Sequence, residues 1–228
     1  EESIKLAAIG KLAAGVAHEV KNPLTVIKGF SQLMLSKNYD SARTANYLRL
    51  ICQEVDRANH FIQDFLNLGK PQKPQRRIVD VYNIIEDTVL LIQSQCFLNR
   101  VEIIQNVDCS AKIFADPDQM KQVLINLVKN SLEAMEDSSN KKILAISVSK
   151  DTTSRTVNIS VTDTGCGIPE EIIDRVTTSF FTTKKFGTGL GLNISRAIIE
   201  QHEGELKFFS GQGGTTAVIH LPLYVGNA

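Results

Sequence analysis

The first seventy residues carry a helical pattern of apolar positions. Between Leu48 and Phe65 the apolar residues recur at alternating steps of three and four, which is typical of a helix packed lengthwise against other helices. A second stripe runs from Ile9 to Met34, and the polar stretch 36–41 separates the two. The pattern predicts an antiparallel helical hairpin. Because a lone hairpin buries little of its seam, we expect it to dimerise into a four-helix bundle. The alternative is packing onto the second half of the chain.

The second half of the chain mixes helical and strand periodicity. A proline-containing linker at 71–75 separates a predicted first domain, 1–70, from a second, 76–228. The polar stretch 150–155 is predicted to be a hairpin loop. The pattern therefore indicates an α+β layer, a sheet with helices on one face. The predicted helices are Val81–Ser94, Asp118–Met135 and Asn193–Gln201, and the predicted strands are Ile143–Ser149, Thr156–Thr162 and Ala217–Leu223.

Composition narrows the class of protein. The 228 residues favour two domains, and the 43% hydrophobic and 22% charged content is that of an ordinary globular protein. The zero net charge gives no bulk attraction to nucleic acid or to an anionic membrane. No apolar run reaches the roughly 18 residues of a membrane span, and the four cysteines show no Cys-x-x-Cys pairing. We interpret the chain, which begins at Glu1, as a cytoplasmic fragment of a protein whose upstream sensor segment can carry a membrane anchor.

Glycines cluster in three places, although the sequence contains no P-loop pattern. In the first cluster Asp163 directly follows a predicted strand, and a carboxylate there suits the exocyclic amine of adenine. The second cluster, 187–191, precedes a helix whose free N–H groups and positive end favour phosphate. The third is 211–215. Taken alone, each cluster is also explained by turns and hairpins.

Two asparagines lie four positions apart on a predicted helix. Asn126 and Asn130 therefore share a helix face, and neutral amide oxygens suit a hard cation such as Mg²⁺ whose charge a nucleotide balances. A solvated helix face is the alternative. Most of the remaining circumference is apolar: Val123, Leu124, Leu127, Val128 and Leu132.

One histidine is placed for chemistry. His18 lies two residues from both Val16 and Val20, about 200° around the helix, so it faces away from the apolar stripe. Glu19 supplies a proton acceptor beside this nucleophile, and Pro23 loosens the helix one turn later. The other histidines are interpreted as structural: His60 in the second helix, His202 at a helix C-terminus and His220 in the last strand.

Five motifs occur in the order found in one protein family. The sequence resembles the sensor histidine kinases of two-component systems. The order of its motifs and its overall sequence pattern resemble those of the sporulation kinases of spore-forming bacteria. The motifs are the phospho-acceptor box His18–Pro23, the N box Asn126–Asn130, the glycine boxes Asp163–Gly167 and Gly187–Gly191, and the phenylalanine box Phe180–Lys184.

The resemblance implies an activity. The chain would be an ATP-dependent autokinase that phosphorylates His18, with Glu19 as base, and relays the phosphoryl group to an aspartate of a response-regulator receiver domain, in a sporulation phosphorelay. Asn22 matches the position that orients water for hydrolysis of the phosphoryl group. The implied partners are a second copy of the chain, the receiver domain and a small protein inhibitor on the bundle.

The resemblance also implies a Bergerat ATP-binding fold of the GHKL class in the second domain. Its ligands would be ATP and Mg²⁺, with Asn130, helped by Asn126, holding the metal. Asp163 would accept a hydrogen bond from the adenine amine. The other implied contacts are Gly165 and Gly167 in the pocket, Gly187, Gly189 and Gly191 in the lid and phosphate rim, and Lys184 on phosphate.

Two features depart from the family pattern. Residues 176–179 lack the usual aromatic, acidic and proline residues, and only two residues separate Lys184 from Gly187. Both features concern the lid. Two alternatives remain: a non-kinase ATPase of the same fold, and a dimeric adaptor that only binds nucleotide. Neither predicts phosphate on His18.

Overall fold

The structure, a computed structural model, divides the chain into two compact units, Glu1–Gln72 and Lys73–Ala228. The domain bounds 1–70 and 76–228 and the linker 71–75 remain predictions. No helix in the described parts of the chain is long and apolar enough to cross a bilayer. The structure describes residues 20–37, 39–69, 73–107, 110–136, 138, 140–151, 153–178, 181–183, 189–211 and 213–225.

The first unit contains the two predicted helices. Helix α1 is described over residues 20–36, and helix α2 spans Ser41–Gly69. The ring of Tyr47 in α2 lies 5.4 Å from that of Phe30 in α1 and 5.1 Å from that of Tyr39 in the connection. These aromatic contacts hold the two helices together beside the turn. Pro23 is buried within α1.

The apolar seam of α2 is only partly covered within this unit. Ala58 is 9% exposed, whereas Leu48, Val55 and Ile62 remain 49%, 42% and 41% exposed. A helix normally buries such a stripe, because exposed apolar surface is unfavourable in water. The hairpin therefore leaves a long apolar face without a partner among the residues described in this unit.

The second unit is built on a five-stranded sheet. The strand order is β2-β4-β5-β7-β6, with β2 parallel to β4 and the other pairs antiparallel, and β1 pairs with β3 in a separate two-stranded sheet. The strands are β1 Arg77–Asp80, β2 Glu102–Val107, β3 Lys112–Ala115, β4 Ile143–Asp151, β5 Thr156–Asp163, β6 Glu205–Gly211 and β7 Gly214–Pro222. The helices are α3 Val81–Leu98, α4 Pro117–Ala134, the short α5 Glu170–Ile173 and α6 Gly191–Gln201.

Helices α3, α4 and α6 pack on one face of the large sheet. Alternate residues of the central strands are buried beneath them, as Val157, Ile159 and Val161 show in β5. Residues on the other face, such as Asn158 and His220, are half-buried and bond to each other across the strands. This is the α+β layer that alternation in the sequence predicted.

Carboxylates begin two of these helices. Asp80 caps α3, and Asp116 caps α4 by accepting hydrogen bonds from the backbone N–H groups of Asp118 and Gln119. Burial of Asp116 opposes ionisation, but the backbone N–H groups of Gln75, Gln119 and Asp118 outweigh that effect and lower its pKa. The cap therefore fixes the start of α4 and joins it to the beginning of the second unit.

All six predicted elements of the second unit exist, with some different bounds. The predicted loop 150–155 was too long, because β4 continues to Asp151 and β5 begins at Thr156. Helix α6 begins at Gly191, two residues before the predicted start, and β7 begins at Gly214. Strands β1, β2, β3 and β6 and helix α5 were not predicted. Most of these are too short to show a period, and pairing with other strands stabilises them.

Candidate functional site

Asp163 ends β5 with its carboxylate held in a fixed position. Its side chain is buried, and Oδ1 accepts hydrogen bonds from the backbone N–H groups of Gly165 at 2.9 Å and Thr215 at 3.1 Å. Within the described part of the chain, Oδ2 has no hydrogen-bond donor. The geometry therefore leaves one carboxylate oxygen for a further donor, and the adenine amine as that donor stays a prediction.

The loop after Asp163 is packed so closely that only glycine fits at several positions. A Cβ on Gly165 would lie 2.7 Å from the carbonyl oxygen of Ala134 at the end of α4. Gly167 has φ +76°, and its Cβ would collide with the carbonyl oxygen of Gly211. Gly214, with φ +124°, lies against the carbonyl of Asp163 itself. The first glycine box is thus wedged between α4 and the β6–β7 turn.

Backbone hydrogen bonds fix the same loop. The N–H of Cys166 donates to the carbonyl of Ala134 at 3.1 Å, and the N–H of Ile168 donates to Oγ of Ser210 at 2.6 Å. The side chain of Cys166 remains exposed. The loop is therefore held from both sides while one side chain stays open to solvent.

Asn126 and Asn130 lie half-buried on α4, and the apolar residues predicted around them are buried. Nδ2 of Asn126 donates to Oγ of Ser195 in α6 at 2.8 Å. A Cβ on Gly191 would lie 2.6 Å from Oδ1 of the same amide. The structure thus brings the N box into contact with the second glycine box, which lies more than sixty residues away in the sequence.

The N-terminal end of α6 lies at this contact. Leu190, at the capping position, is fully buried and gives no side-chain cap, and the N–H of Ile194 makes the first bond within the helix. The N–H groups before it point out of the helix end, where partial positive charge favours an anion. Gly189 has φ +64°, a conformation that glycine adopts without strain.

The segment before the phenylalanine box is anchored on α6. Nδ2 of Asn193 donates to the carbonyl of Thr177 at 3.2 Å, and Nη1 of Arg196 donates to the hydroxyl of Thr177 at the same distance. The guanidinium of Arg175 lies 4.8 Å from the ring centroid of Phe181. These contacts hold the segment in which the sequence departs from the family pattern.

Several predicted site residues lie outside the described residues: His18, Glu19, Lys184 and Gly187. Asn22 is exposed in the first described turn of α1. The remaining predicted residues, on α4, at the end of β5 and at the start of α6, belong to one unit. Their assigned roles stay predictions.

Sequence reasoning missed three residues that support the site: Ser195, Ser210 and Thr215. Ser195 lies four positions after Gly191, so its place on the same helix face was available from spacing. The positions of Ser210 and Thr215 depend on the β6–β7 hairpin. Since β6 was not predicted, Ser210 had no local signal, and Thr215 was known only as the last residue of the third glycine cluster, 211–215.

Comparison with known proteins identifies two domains. Residues 8–74 match the His Kinase A (phospho-acceptor) domain. Residues 115–225 match the histidine kinase-, DNA gyrase B-, and HSP90-like ATPase domain. Together the two matches cover most of the chain.

Individual relatives agree with this assignment. Sporulation kinase E of Bacillus subtilis is 39% identical over 97% of this chain and 30% of its own length. Sporulation kinase B of the same organism is 35% identical over 96% of this chain and 51% of its own length. The chain thus spans 30% of the length of the first relative and about half of the second. Histidine kinase ThkA, crystallised in complex with response regulator protein TrrA, has a TM-score of 0.83 and 27% identity over 98% of this chain and 64% of that one. With a phospho-acceptor domain followed by an ATPase domain of this type, the chain belongs to the sensor histidine kinase family.

Proposed function

We propose that this chain is an ATP-dependent protein-histidine autokinase that phosphorylates His18 and passes the phosphoryl group to an aspartate of a response-regulator receiver domain. The observation that carries the proposal is the carboxylate of Asp163, fixed at Oδ1 by two backbone N–H groups and presenting Oδ2 beside a glycine loop. The family assignment supplies the acceptor domain that contains His18.

The site favours adenine over guanine. A carboxylate oxygen accepts a hydrogen bond from the exocyclic amine of adenine, whereas guanine presents a carbonyl at that position and would be repelled. Gly165 and Gly167 let the loop pack directly against the backbone of Ala134 and Gly211, which holds the loop beside the Asp163 carboxylate in place. These features support ATP as the phosphoryl donor.

The phosphates of ATP would lie towards the start of α6. Its outward N–H groups and positive end favour negative charge, and Gly189, with φ +64°, lies just before this helix end. Asn130 on α4 would hold Mg²⁺, for which an amide oxygen is a suitable ligand. When bound, the ion would neutralise charge on the phosphates during transfer.

The proposed reaction is an in-line displacement at the γ-phosphorus. An imidazole nitrogen of His18 would form the new P–N bond while the bond to the β–γ bridging oxygen breaks and ADP leaves. Glu19 would take up the proton of the imidazole, and Asn22 would orient water when the phosphohistidine, or the acyl phosphate of the partner, is hydrolysed to release phosphate. Catalysis would come mainly from positioning and charge neutralisation.

A homodimer is supported by the apolar face of the helical unit. Leu48, Val55 and Ile62 are each more than 40% exposed, although they lie on the predicted seam. A second copy would cover this face in a four-helix bundle.

The complex of ThkA with TrrA supports a response regulator as the phosphoryl acceptor. The likeness to sporulation kinases supports a place in a sporulation phosphorelay. A cytoplasmic location, with a membrane anchor upstream, stays a prediction. A small protein inhibitor stays a prediction.

The test is incubation of the chain with γ-labelled ATP and Mg²⁺, followed by treatment of the labelled protein with acid and base. A phosphohistidine is lost in acid and survives base, and His18→Ala should abolish the label. His60→Ala, another histidine substitution in the same helical unit, is the matched control and should retain it. Asp163→Ala should abolish both nucleotide binding and labelling.

The opposite results would point to the alternatives. ATP hydrolysis without any label on the protein would indicate a non-kinase ATPase. Nucleotide binding without hydrolysis or label would indicate an adaptor. Label that persists in His18→Ala would place the acceptor elsewhere.

A further inference from the structure

We infer that Ser195 is a positioning residue for the nucleotide site, and that Asn126 serves to hold the start of α6 against α4 and does not bind Mg²⁺. The inference rests on the proposed function and divides the roles of the two asparagines of the N box. Asn130 alone would then carry the metal.

The first observation is the hydrogen bond between the two helices. Nδ2 of Asn126 lies 2.8 Å from Oγ of Ser195, and Ser195 is only 2% exposed. Solvent therefore cannot easily replace the donor to the buried Ser195 hydroxyl. A buried hydroxyl whose donor is removed loses a bond that water does not restore.

The second observation is the fit of the amide on Gly191. A Cβ at this position would lie 2.6 Å from Oδ1, 3.1 Å from Nδ2 and 3.2 Å from Cγ of Asn126. The oxygen end of the amide edge thus lies against Gly191. The φ of Gly191 is not in the left-handed region, so space, and not backbone conformation, requires glycine here.

Together the two contacts hold one turn of helix. Gly191 and Ser195 are four positions apart on α6, hence one above the other, and the Asn126 amide spans both. Its nitrogen is committed to Ser195 and its oxygen is packed against Gly191. This commitment disfavours Asn126 as a metal ligand. It explains why an asparagine occurs four residues before the proposed ligand.

The consequence for function is the position of the phosphate end of α6. The outward N–H groups of this helix and the amide of Asn130 approach the phosphates from two different helices. A shift of about 1 Å between such groups can reduce a rate a hundredfold. Since the Asn126–Ser195 bond sets their separation, its loss should weaken ATP binding and slow transfer without changing the metal ligand.

The experiment compares Ser195→Ala, Asn126→Ala, their double variant and Asn130→Ala in the whole chain. The dissociation constant of a non-hydrolysable ATP analogue is measured by calorimetry at saturating Mg²⁺. The Mg²⁺ concentration for half-maximal autophosphorylation is measured separately. Thr88→Val is the matched control, because the Thr88 hydroxyl is also fully buried but donates its hydrogen bond to the carbonyl of Ile84 in its own helix, α3.

We expect Ser195→Ala to weaken analogue binding about tenfold, as loss of one good hydrogen bond would. Its half-maximal Mg²⁺ concentration should be unchanged, whereas Asn130→Ala should raise that concentration strongly. The double variant should bind no more weakly than Asn126→Ala, because both changes break the same bond. Thr88→Val should retain the affinity of the parent chain.

Three results would overturn the inference: additive losses in the double variant, a raised Mg²⁺ requirement in Ser195→Ala or Asn126→Ala, or equal losses of affinity in Ser195→Ala and Thr88→Val. Thermal unfolding of each variant separates loss of the site from loss of the fold. Failure of the parent chain to label His18 would overturn the proposed function. Analogue binding does not require phosphotransfer, so the affinities of the variants relative to the parent chain would still decide this inference.

Discussion

Nε2 of His202 accepts a hydrogen bond from the backbone N–H of Asp116 at 3.0 Å, so a side chain at the end of α6 is joined to the residue that caps α4. Nδ1 lies 2.7 Å from the carbonyl oxygen of Ile198, which places the ring proton on Nδ1. The ring is 3% exposed, and burial lowers its pKa. The expected position at a helix C-terminus is confirmed, and burial favours the neutral imidazole there.

The neutral state of His202 predicts a pH dependence of stability. Because its pKa is lower in the folded protein, the unfolded chain takes up a proton first as the pH falls below the ordinary histidine value of about 6.5. The free energy of unfolding should therefore fall progressively from that pH down to the folded pKa. The charged groups around the ring are Arg76, Asp116 and Glu203. Urea titrations of the whole chain between pH 7.5 and 5 would measure this.

A matched variant isolates the contribution of His202. His202→Gln keeps a hydrogen-bond acceptor without a titrating group, so its free energy of unfolding should vary less with pH over the same window. Asp116 does not interfere, because its pKa is lowered from an ordinary aspartate value that already lies below this pH window. Parallel curves for the two proteins would contradict the prediction.

The backbone conformation of Glu203 predicts that glycine at this position gives a more stable protein than alanine does. Glu203 has φ +60°, in the left-handed region that costs an L-residue about 1–2 kcal/mol. Its carboxylate pairs with Arg76 at 2.8 Å, but the side chain of Glu203 is largely exposed and such pairs contribute little. Glu203→Gly should therefore be more stable than Glu203→Ala by about 1 kcal/mol, because both lose the ion pair and only glycine relieves the backbone. Chemical denaturation of the two variants is the measurement, and equal stabilities would disprove the strain.

Gly165 predicts a strong effect of one methyl group. Gly165→Ala would place a Cβ 2.7 Å from the carbonyl oxygen of Ala134, which accepts the N–H of Cys166. Overpacking of this kind costs about 1–3 kcal/mol, and it should weaken ATP binding at least tenfold. Gly213→Ala is the control, since nothing lies within 4 Å of its added Cβ. Normal ATP binding by Gly165→Ala would show that the loop has room that the structure does not display.

Cys166 offers a chemical probe of the site. Its thiol is exposed within the loop that follows Asp163, so alkylation with a maleimide should be slowed by bound ATP and should itself weaken ATP binding. Cys52, exposed on α2, is the internal control and should react at the same rate with or without ATP. Mass spectrometry of the two labelled peptides measures both rates. Equal protection, or none, at the two cysteines would argue against a nucleotide beside Cys166.

The sequence by itself determined the elements whose residues repeat with a clear period. The buried faces of α4 and β5 and the two helices of the first unit follow from local periodicity, since a helix or strand of sufficient length must bury one face. Each of the five motifs is likewise a run of contiguous residues, so the motifs and their order could be read along the chain. Asp163, the two asparagines and the glycines could be selected because each belongs to a short contiguous motif.

Only the tertiary structure decided which of these residues meet. Asn126 and Ser195 are 69 positions apart, Asp163 and Thr215 are 52 apart, and Asp116 and His202 are 86 apart. No local period encodes such distances, because each contact depends on the packing of helices on the sheet. The four-residue strands β1 and β3 were likewise invisible, since they are stabilised by each other and not by their own sequence. The sequence thus supplied the groups of the site, and the packing of α4, α6 and the β6–β7 hairpin determined how they are held.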